Sequence, residues 1–197
     1  MTASKLKQAA MVLFTESGYE GTSLSEIAKA VGIKTPSIYA HFESKEQLFM
    51  SVLEDVLAEE RLRFGAMMEK TEGQPPIERV RAAFDHFSAP DTTTGHTFLK
   101  RAIMVPPRHL RDRLRADFAA FELFLNAGME QLFRNCSTRG KDQVPEVERL
   151  IVLFYGLVDG LLVEHEAYEE QVFEVRRRML WEWFERALQE TEGTAAK

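Results

Sequence analysis

Apolar residues return every three or four positions through almost the whole chain, and no stretch alternates as a half-buried strand would. The pattern predicts an all-α protein. Leu6, Ala10, Leu13 and Phe14 share one face of a first helix over about 4–17, which Gly18 ends as a helix-terminating glycine does. In TSLSEIAKAVG, Ser23 and Glu26 form a capping box, Leu24, Ile27, Ala28 and Val31 make the inner face, and Gly32 closes the second helix. Thr35 is placed as N-cap and Pro36 as first residue of a short third helix over 36–41, with Ile38 and Phe42 as its apolar anchors. A second capping box, Ser44 with Gln47, opens a long fourth helix over 45–69, which TEGQPP breaks.

Beyond the break, Ile77, Val80, Phe84 and Phe87 mark a fifth helix, and a sixth over 96–105 is terminated by VPP. The seventh, over 108–135, carries Leu110, Leu114, Phe118, Phe121, Leu125 and Leu132 on one side, with Phe124 and Met129 turned to another. CSTRGKDQ reads as a loop. Pro145 starts an eighth helix striped with Val147, Leu150, Ile151, Phe154, Val158, Leu161 and Leu162. A ninth, over 172–190, answers with Val175, Met179, Leu180, Trp183, Phe184, Ala187 and Leu188. The expected architecture is a three-helix head over 1–47, a helical body over 48–192 entered through the long fourth helix, and a tail over 193–197, about nine helices in all.

Composition narrows the function. The chain has 197 residues and a net charge of -6, so bulk charge does not drive it onto nucleic acid. Residues 1–48 are locally neutral, with Lys5, Lys7, Lys29, Lys34 and Lys45 against Glu16, Glu20, Glu26, Glu43 and Glu46. An anion-binding surface therefore has to be local and N-terminal. No apolar run is long enough to cross a bilayer and no leader cleavage pattern is visible, from which a cytoplasmic protein without membrane contact is expected. The single Cys136 cannot form an intrachain disulfide or a thiolate metal cluster.

Two short helices joined by a turn with Gly32 are the sequence form of a helix-turn-helix. In that reading Lys34, Thr35 and Ser37 suit base edges, Pro36 suits a thymine methyl, and Tyr39, His41 and Lys45 suit phosphates. The alternative is that Tyr39 and His41 merely cover a small core. The run GYEGTSLSEIAKAVGIKTPSIYAHFESKEQLF over 18–49 resembles the signature of the tetracycline-repressor (TetR) family of bacterial transcription regulators. The resemblance implies phosphate contacts from Thr22 or Ser23, Tyr39, His41 and Lys45, and base contacts from Lys34, Thr35, Pro36 and Ser37. Glycine is frequent where this chain has Pro36, so the target sequence stays open.

The resemblance further implies a homodimer on double-stranded inverted-repeat operator DNA, most simply a repressor, released by a small-molecule effector. Its dimer interface would be a four-helix bundle of the last two helices, with Phe154, Val158, Leu161, Leu162, Met179, Leu180, Trp183 and Phe184 as contacts and Gly156 and Gly160 allowing close approach. The alternative is that both helices close a monomeric core. The effector cavity would draw on Phe87, Arg101, Met104, His109, Phe118, Phe121, Glu122, Phe124, Tyr155 and Asp159. Asp159 interrupts the apolar run GLVDGLL, so it is either paired or a ligand contact, and Arg101, Arg108, His109 and Glu122 are its possible partners.

An enzyme finds no support: phosphate loop, nucleophile elbow and paired His or Cys motifs are absent, and no cofactor or metal is expected. In Glu164, His165 and Glu166, neighbours fall on different helix faces. A helical interaction protein that dimerises without reading DNA is the remaining rival, and it would tolerate loss of Tyr39 or Lys45.

Overall fold

A computed structural model describes residues 3–89, 93–136 and 144–193. Among these the chain is helical throughout: α1 (Ala3–Gly21), α2 (Leu24–Ala30), a 3-10 helix (Thr35–Ala40), α3 (Lys45–Lys70), α4 (Pro76–Ser88), α5 (Thr94–Met104), a 3-10 turn (Arg108–Leu110) leading into α6 (Arg111–Cys136), α7 (Val144–Ala167) and α8 (Glu170–Gly193). The expected helices are present, nine when the 3-10 turn is counted with α6 among the described residues. Most of the expected loop after Cys136 and the tail beyond Gly193 lie outside the described residues.

The local signals act as the residues dictate. Gly18 adopts φ 74°, a left-handed conformation that breaks α1 where the apolar rhythm stops, and Gly32 does the same after α2. Ser23 and Glu26 form the complete capping box. At the start of α3 the box is shifted: Ser44 Oγ accepts from the Gln47 N–H, but Gln47 Oε1 reaches the N–H of Glu43. The third helix differs from expectation in type and start. Lys34 holds the N-cap position with no side-chain bond, Thr35 is already helical, and the segment is 3-10. Its bonds run three residues back, Ser37 N to Lys34 O and His41 N to Ile38 O, because the missing N–H of Pro36 and the brevity of the segment leave no room for an α ladder.

The chain divides into two compact units. One runs to Leu62 and resumes for the stretch ending at Phe121; the other takes over from Arg63 and again from Glu122 onward. In the first, α1 packs on α2 and α5, and α2 on the 3-10 helix, around Leu6, Phe14, Ile27, Ile38, Leu48, Phe49, Leu53 and Phe98. In the second, α4, α7 and α8 pack together, and Phe154 is surrounded by the rings of Phe84, Phe87, Phe133 and Phe184.

Two expected faces are corrected. On α6, Met129 is fully buried with Leu125 and Leu132 rather than turned away from them. On α8 the inner residues are Phe173, Trp181, Phe184 and Leu188, whereas Val175, Met179 and Trp183 are exposed by 46%, 51% and 67%. Both stripes obey helical spacing, and the bulkier aromatic cluster takes the inside.

Candidate nucleic-acid interface

The 3-10 helix is pinned from below and open above. Ile38 is fully buried and Phe42 nearly so, joining Ile27 and Ala28 of α2 in one core. With three residues per turn, anchoring Ile38 turns its neighbours outward. Lys34, Pro36, Ser37 and His41 are exposed, Tyr39 is 57% exposed, and Thr35 is half-buried. The surface thus offers an ammonium, a hydroxyl, a phenol and an imidazole along one short segment. These groups suit phosphate oxygens and base edges.

Three of the expected contacts do something else here. Thr22 is buried, and its hydroxyl lies 2.8 Å from Gly18 O and 3.0 Å from Leu13 O, which removes it from the surface. Ser23 is exposed, but its hydroxyl lies 2.7 Å from Glu26 Oε2 and its amide donates to the same oxygen at 2.8 Å. These bonds hold the Glu26 carboxyl below the usual range, the Ser23 side chain contributing most. Lys45 is half-buried and donates to Tyr19 O at 2.8 Å and Thr22 O at 3.0 Å, with its ammonium 4.2 Å from the centre of the Tyr19 ring.

The bonds of Thr22 and Lys45 to α1 carbonyls have a common cause. α1 carries no basic residue in its last turn, so its carbonyls end without a local counter-charge. Other elements supply it. Besides Lys45, Arg101 of α5 donates to Thr15 O at 3.1 Å and Glu16 O at 3.5 Å. Tyr19 stacks on Phe14, meets Phe49 edge-on, and places its hydroxyl 3.3 Å from His109 Nε2. Burial raises the Tyr19 pKa, with Glu46 and Glu20 adding to it. Arg101 and His109, expected to line an effector cavity, are thus committed to α1.

The other cavity candidates fall in both units. In the first unit, Met104 and Phe118 line an open cleft between α5 and α6, and Phe121 lies under the Arg61 guanidinium. In the second, Phe87 meets Tyr155 at 6.4 Å and Phe64 at 5.7 Å, and Phe124 meets Phe64 at 6.3 Å. The Tyr155 hydroxyl is buried and has no hydrogen-bond partner among the described residues, and its pKa is raised by burial first, then by Glu122 and Asp159. Asp159 keeps contact with solvent, yet desolvation and then Glu122 raise its carboxyl pKa. Of the two alternatives for Asp159, no salt bridge is seen among the described residues, and the charged group acting on it is the like-charged Glu122. Sequence reasoning missed Asn126, whose Oδ1 is buried and has no hydrogen-bond partner among the described residues; its signal was one amide beside the apolar Leu125 and Met129.

The expected dimer contacts also divide. Phe154, Val158, Leu161 and Phe184 are already covered within the chain itself; Leu162 and Leu180 are half-buried, and Met179 and Trp183 are exposed. The outward apolar face consists instead of Val152, Leu153 and Val163 on α7 with Val172, Val175, Met179 and Trp183 on α8. Between them Gly156 and Gly160 face open space, where an added Cβ would meet nothing within 4 Å. No group of three or more His, Cys, Asp or Glu is placed to hold a metal among the described residues, and no described helix is long and apolar enough to cross a membrane.

Comparison with known proteins gives the same frame. Residues 6–52 match the model of bacterial regulatory proteins of the tetR family. The HTH-type transcriptional repressor ComR of Escherichia coli (strain K12) is 32% identical over 101 residues, 50% of this chain and 48% of ComR. The icaADBC biofilm operon's HTH-type negative transcriptional regulator IcaR of Staphylococcus epidermidis is 41% identical over 51 residues, 26% of this chain and 28% of IcaR. The chain thus spans about half or less of the length of these curated relatives. Across 92% of both chains the fold matches a TetR transcriptional regulator from Chloroflexus aurantiacus, with TM-score 0.70 and 26% identity. It also matches AibR, solved with isovaleryl coenzyme A and operator DNA, over 91% of this chain and 97% of AibR, with TM-score 0.66 and 21% identity.

Proposed function

We propose, from the match of residues 6–52 to the tetR family of bacterial regulatory proteins, that the chain is a DNA-binding transcriptional repressor of that family that reads an inverted-repeat operator as a homodimer and is released by a small molecule. The observation that carries this reading is the 3-10 helix, held by buried Ile38 and presenting Lys34, Ser37, Tyr39 and His41 to solvent. In a locally neutral segment of an acidic chain, such a row of short donors has its best use at phosphates and base edges. Lys34 and Ser37 take the base-reading role with Thr35 and Pro36 beside them, and Tyr39 and His41 take the phosphates.

One such head spans only a few base pairs and makes few phosphate contacts, so a second copy supplies both affinity and length. The apolar face of Val152, Gly156, Gly160 and Val163 with Val175, Met179 and Trp183 supports pairing through α7 and α8. A smooth glycine surface flanked by Val and Trp suits close helix approach. Release follows if the effector binds the DNA-free arrangement better than the DNA-bound one, whatever its absolute affinity.

Selection from random duplex DNA by the full-length protein tests the reading. Enrichment of an inverted repeat with half-sites about one helical turn or somewhat more apart is expected. Failure to enrich any sequence at low salt, with or without candidate effectors, sinks it.

A further inference from the structure

We propose that the cleft between the end of α5 and the start of α6 binds a small amphipathic carboxylate, and that its occupation loosens the hold of α5 on α1; the second half rests on the regulatory reading above. The cleft measures about 300 Å³ and has two chemically distinct sides. Ile103, Met104, Leu114 and Phe118 form the apolar one, and Arg111 and Arg115 the charged one. Ile103 and Met104 are each about half exposed, which leaves apolar surface in water for a ligand to cover.

The two arginines lie four apart on α6, hence on one face. Arg111 makes no ion pair among the described residues. Arg115 has only Asp112, at 3.6 Å and with both side chains largely exposed, a weak and displaceable partner. Arg113, pointing elsewhere, meets Glu46 at 3.6 Å. The Arg111 guanidinium, with that of Arg115 once it leaves Asp112, matches a planar carboxylate in two-pronged geometry. The volume lies at the small end for ligand sites and suits an aliphatic or arylalkyl acid. Inorganic phosphate would leave the apolar side wet, and a cation would meet the arginines.

The cleft shares its wall with the grip on α1. Ala102 lines it and also lines the small gap beneath Phe14, Tyr19 and Phe49. One residue before, Arg101 holds the α1 carbonyls; just before α6, His109 touches the Tyr19 hydroxyl. A ligand wedged between the end of α5 and the first turns of α6 displaces both holds, all within one compact unit.

Calorimetry on the full chain with sodium octanoate, octan-1-ol and inorganic phosphate, for the natural protein and the R111Q/R115Q variant, tests the site. Octanoate is expected to bind saturably, once per protomer, and the variant to bind it about tenfold more weakly, as loss of a charge-assisted bond implies. Octanol should not distinguish the two proteins, and circular dichroism should match because both side chains are exposed. Octanoate that does not bind, binds no better than octanol or phosphate, or binds the variant equally well, overturns the site. Anisotropy on a selected duplex then tests the consequence. Octanoate should weaken DNA binding by the natural protein and leave the variant unaffected; binding to the cleft with unchanged DNA affinity overturns the coupling. If no duplex can be selected, the regulatory reading fails while the calorimetry still decides the cleft.

Discussion

Replacing Lys45 by Met separates two roles for one cation. The natural ammonium donates to two carbonyls, Tyr19 O at 2.8 Å and Thr22 O at 3.0 Å, and sits 4.2 Å from the Tyr19 ring centre. Hydrogen bonds to a charged group contribute about 1.5–3 kcal/mol each when fully shielded, and a cation–π contact about 0.5–1 kcal/mol at exposed sites. Lys45 is only half-buried and Met keeps the aliphatic stem, so the low end applies and the loss is about 2 kcal/mol. For a chain of this length that lowers Tm by roughly 4–8 °C. The discriminating assay is the salt dependence of DNA affinity on a selected duplex. A lysine at phosphate would take about 0.9 from the log–log slope for each contact removed, close to 2 for a dimer. A lysine that clamps α1 lowers affinity by loosening the head but leaves that slope unchanged. An unchanged Tm together with a shallower slope would refute the clamp and return Lys45 to the DNA surface.

Other substitutions probe the rest of the molecule. Trp183→Glu should leave helicity intact and raise the dimer dissociation constant by about thirtyfold or more, as removal of a central aromatic contact implies; sedimentation showing an unchanged dimer would count against the α7–α8 face. Gly128→Ala should destabilise by about 1 kcal/mol, the overpacking against Phe64 outweighing the better helix propensity. An added Cβ would sit 2.6 Å from Phe64 Cε1, so the penalty should vanish in combination with Phe64→Leu, and urea titrations of the four proteins check it. Arg177→Met should cost about 1–2 kcal/mol, because it removes contacts to Asp85 at 2.6 Å and Ser88 Oγ at 2.9 Å while Asp85 reaches water and keeps Arg81 at 3.1 Å; an unchanged stability contradicts that. Asp159→Asn should raise Tm at pH 7. A raised carboxyl pKa means the folded state bears an unfavourable charge above it and none below the ordinary 3.8, so the advantage should fade as pH falls toward that value. A Tm gain independent of pH would rule out the charge as its cause.

What was legible in the sequence was what is decided within a few residues. The Ser23–Glu26 box and the Gly18 and Gly32 breaks depend on near neighbours, and each stands where the pattern put it. The role of Lys45 was not legible, because its carbonyl partners lie 26 and 23 residues away, and that of Arg101 still less, with Thr15 separated by 86. α8 failed for another reason. It carries apolar residues on two faces, Phe173, Trp181 and Phe184 on one and Val175, Met179 and Trp183 on the other, and periodicity alone does not say which faces inward. A helix apolar on both sides has a second partner to satisfy, and at α8 that ambiguity marks the proposed dimer face.

The most direct test of the proposed interface is the affinity of the natural protein and of Lys34→Ala, Ser37→Ala and Tyr39→Ala variants for a selected duplex and for one scrambled at the half-sites, across a salt series. All three side chains reach solvent, so the folds and Tm values should match. Tyr39→Ala should weaken both duplexes alike, and Lys34→Ala or Ser37→Ala should lose about 1–3 kcal/mol on the selected duplex alone. Variants that bind the selected duplex as tightly as the natural protein would contradict the assignment of this face to DNA.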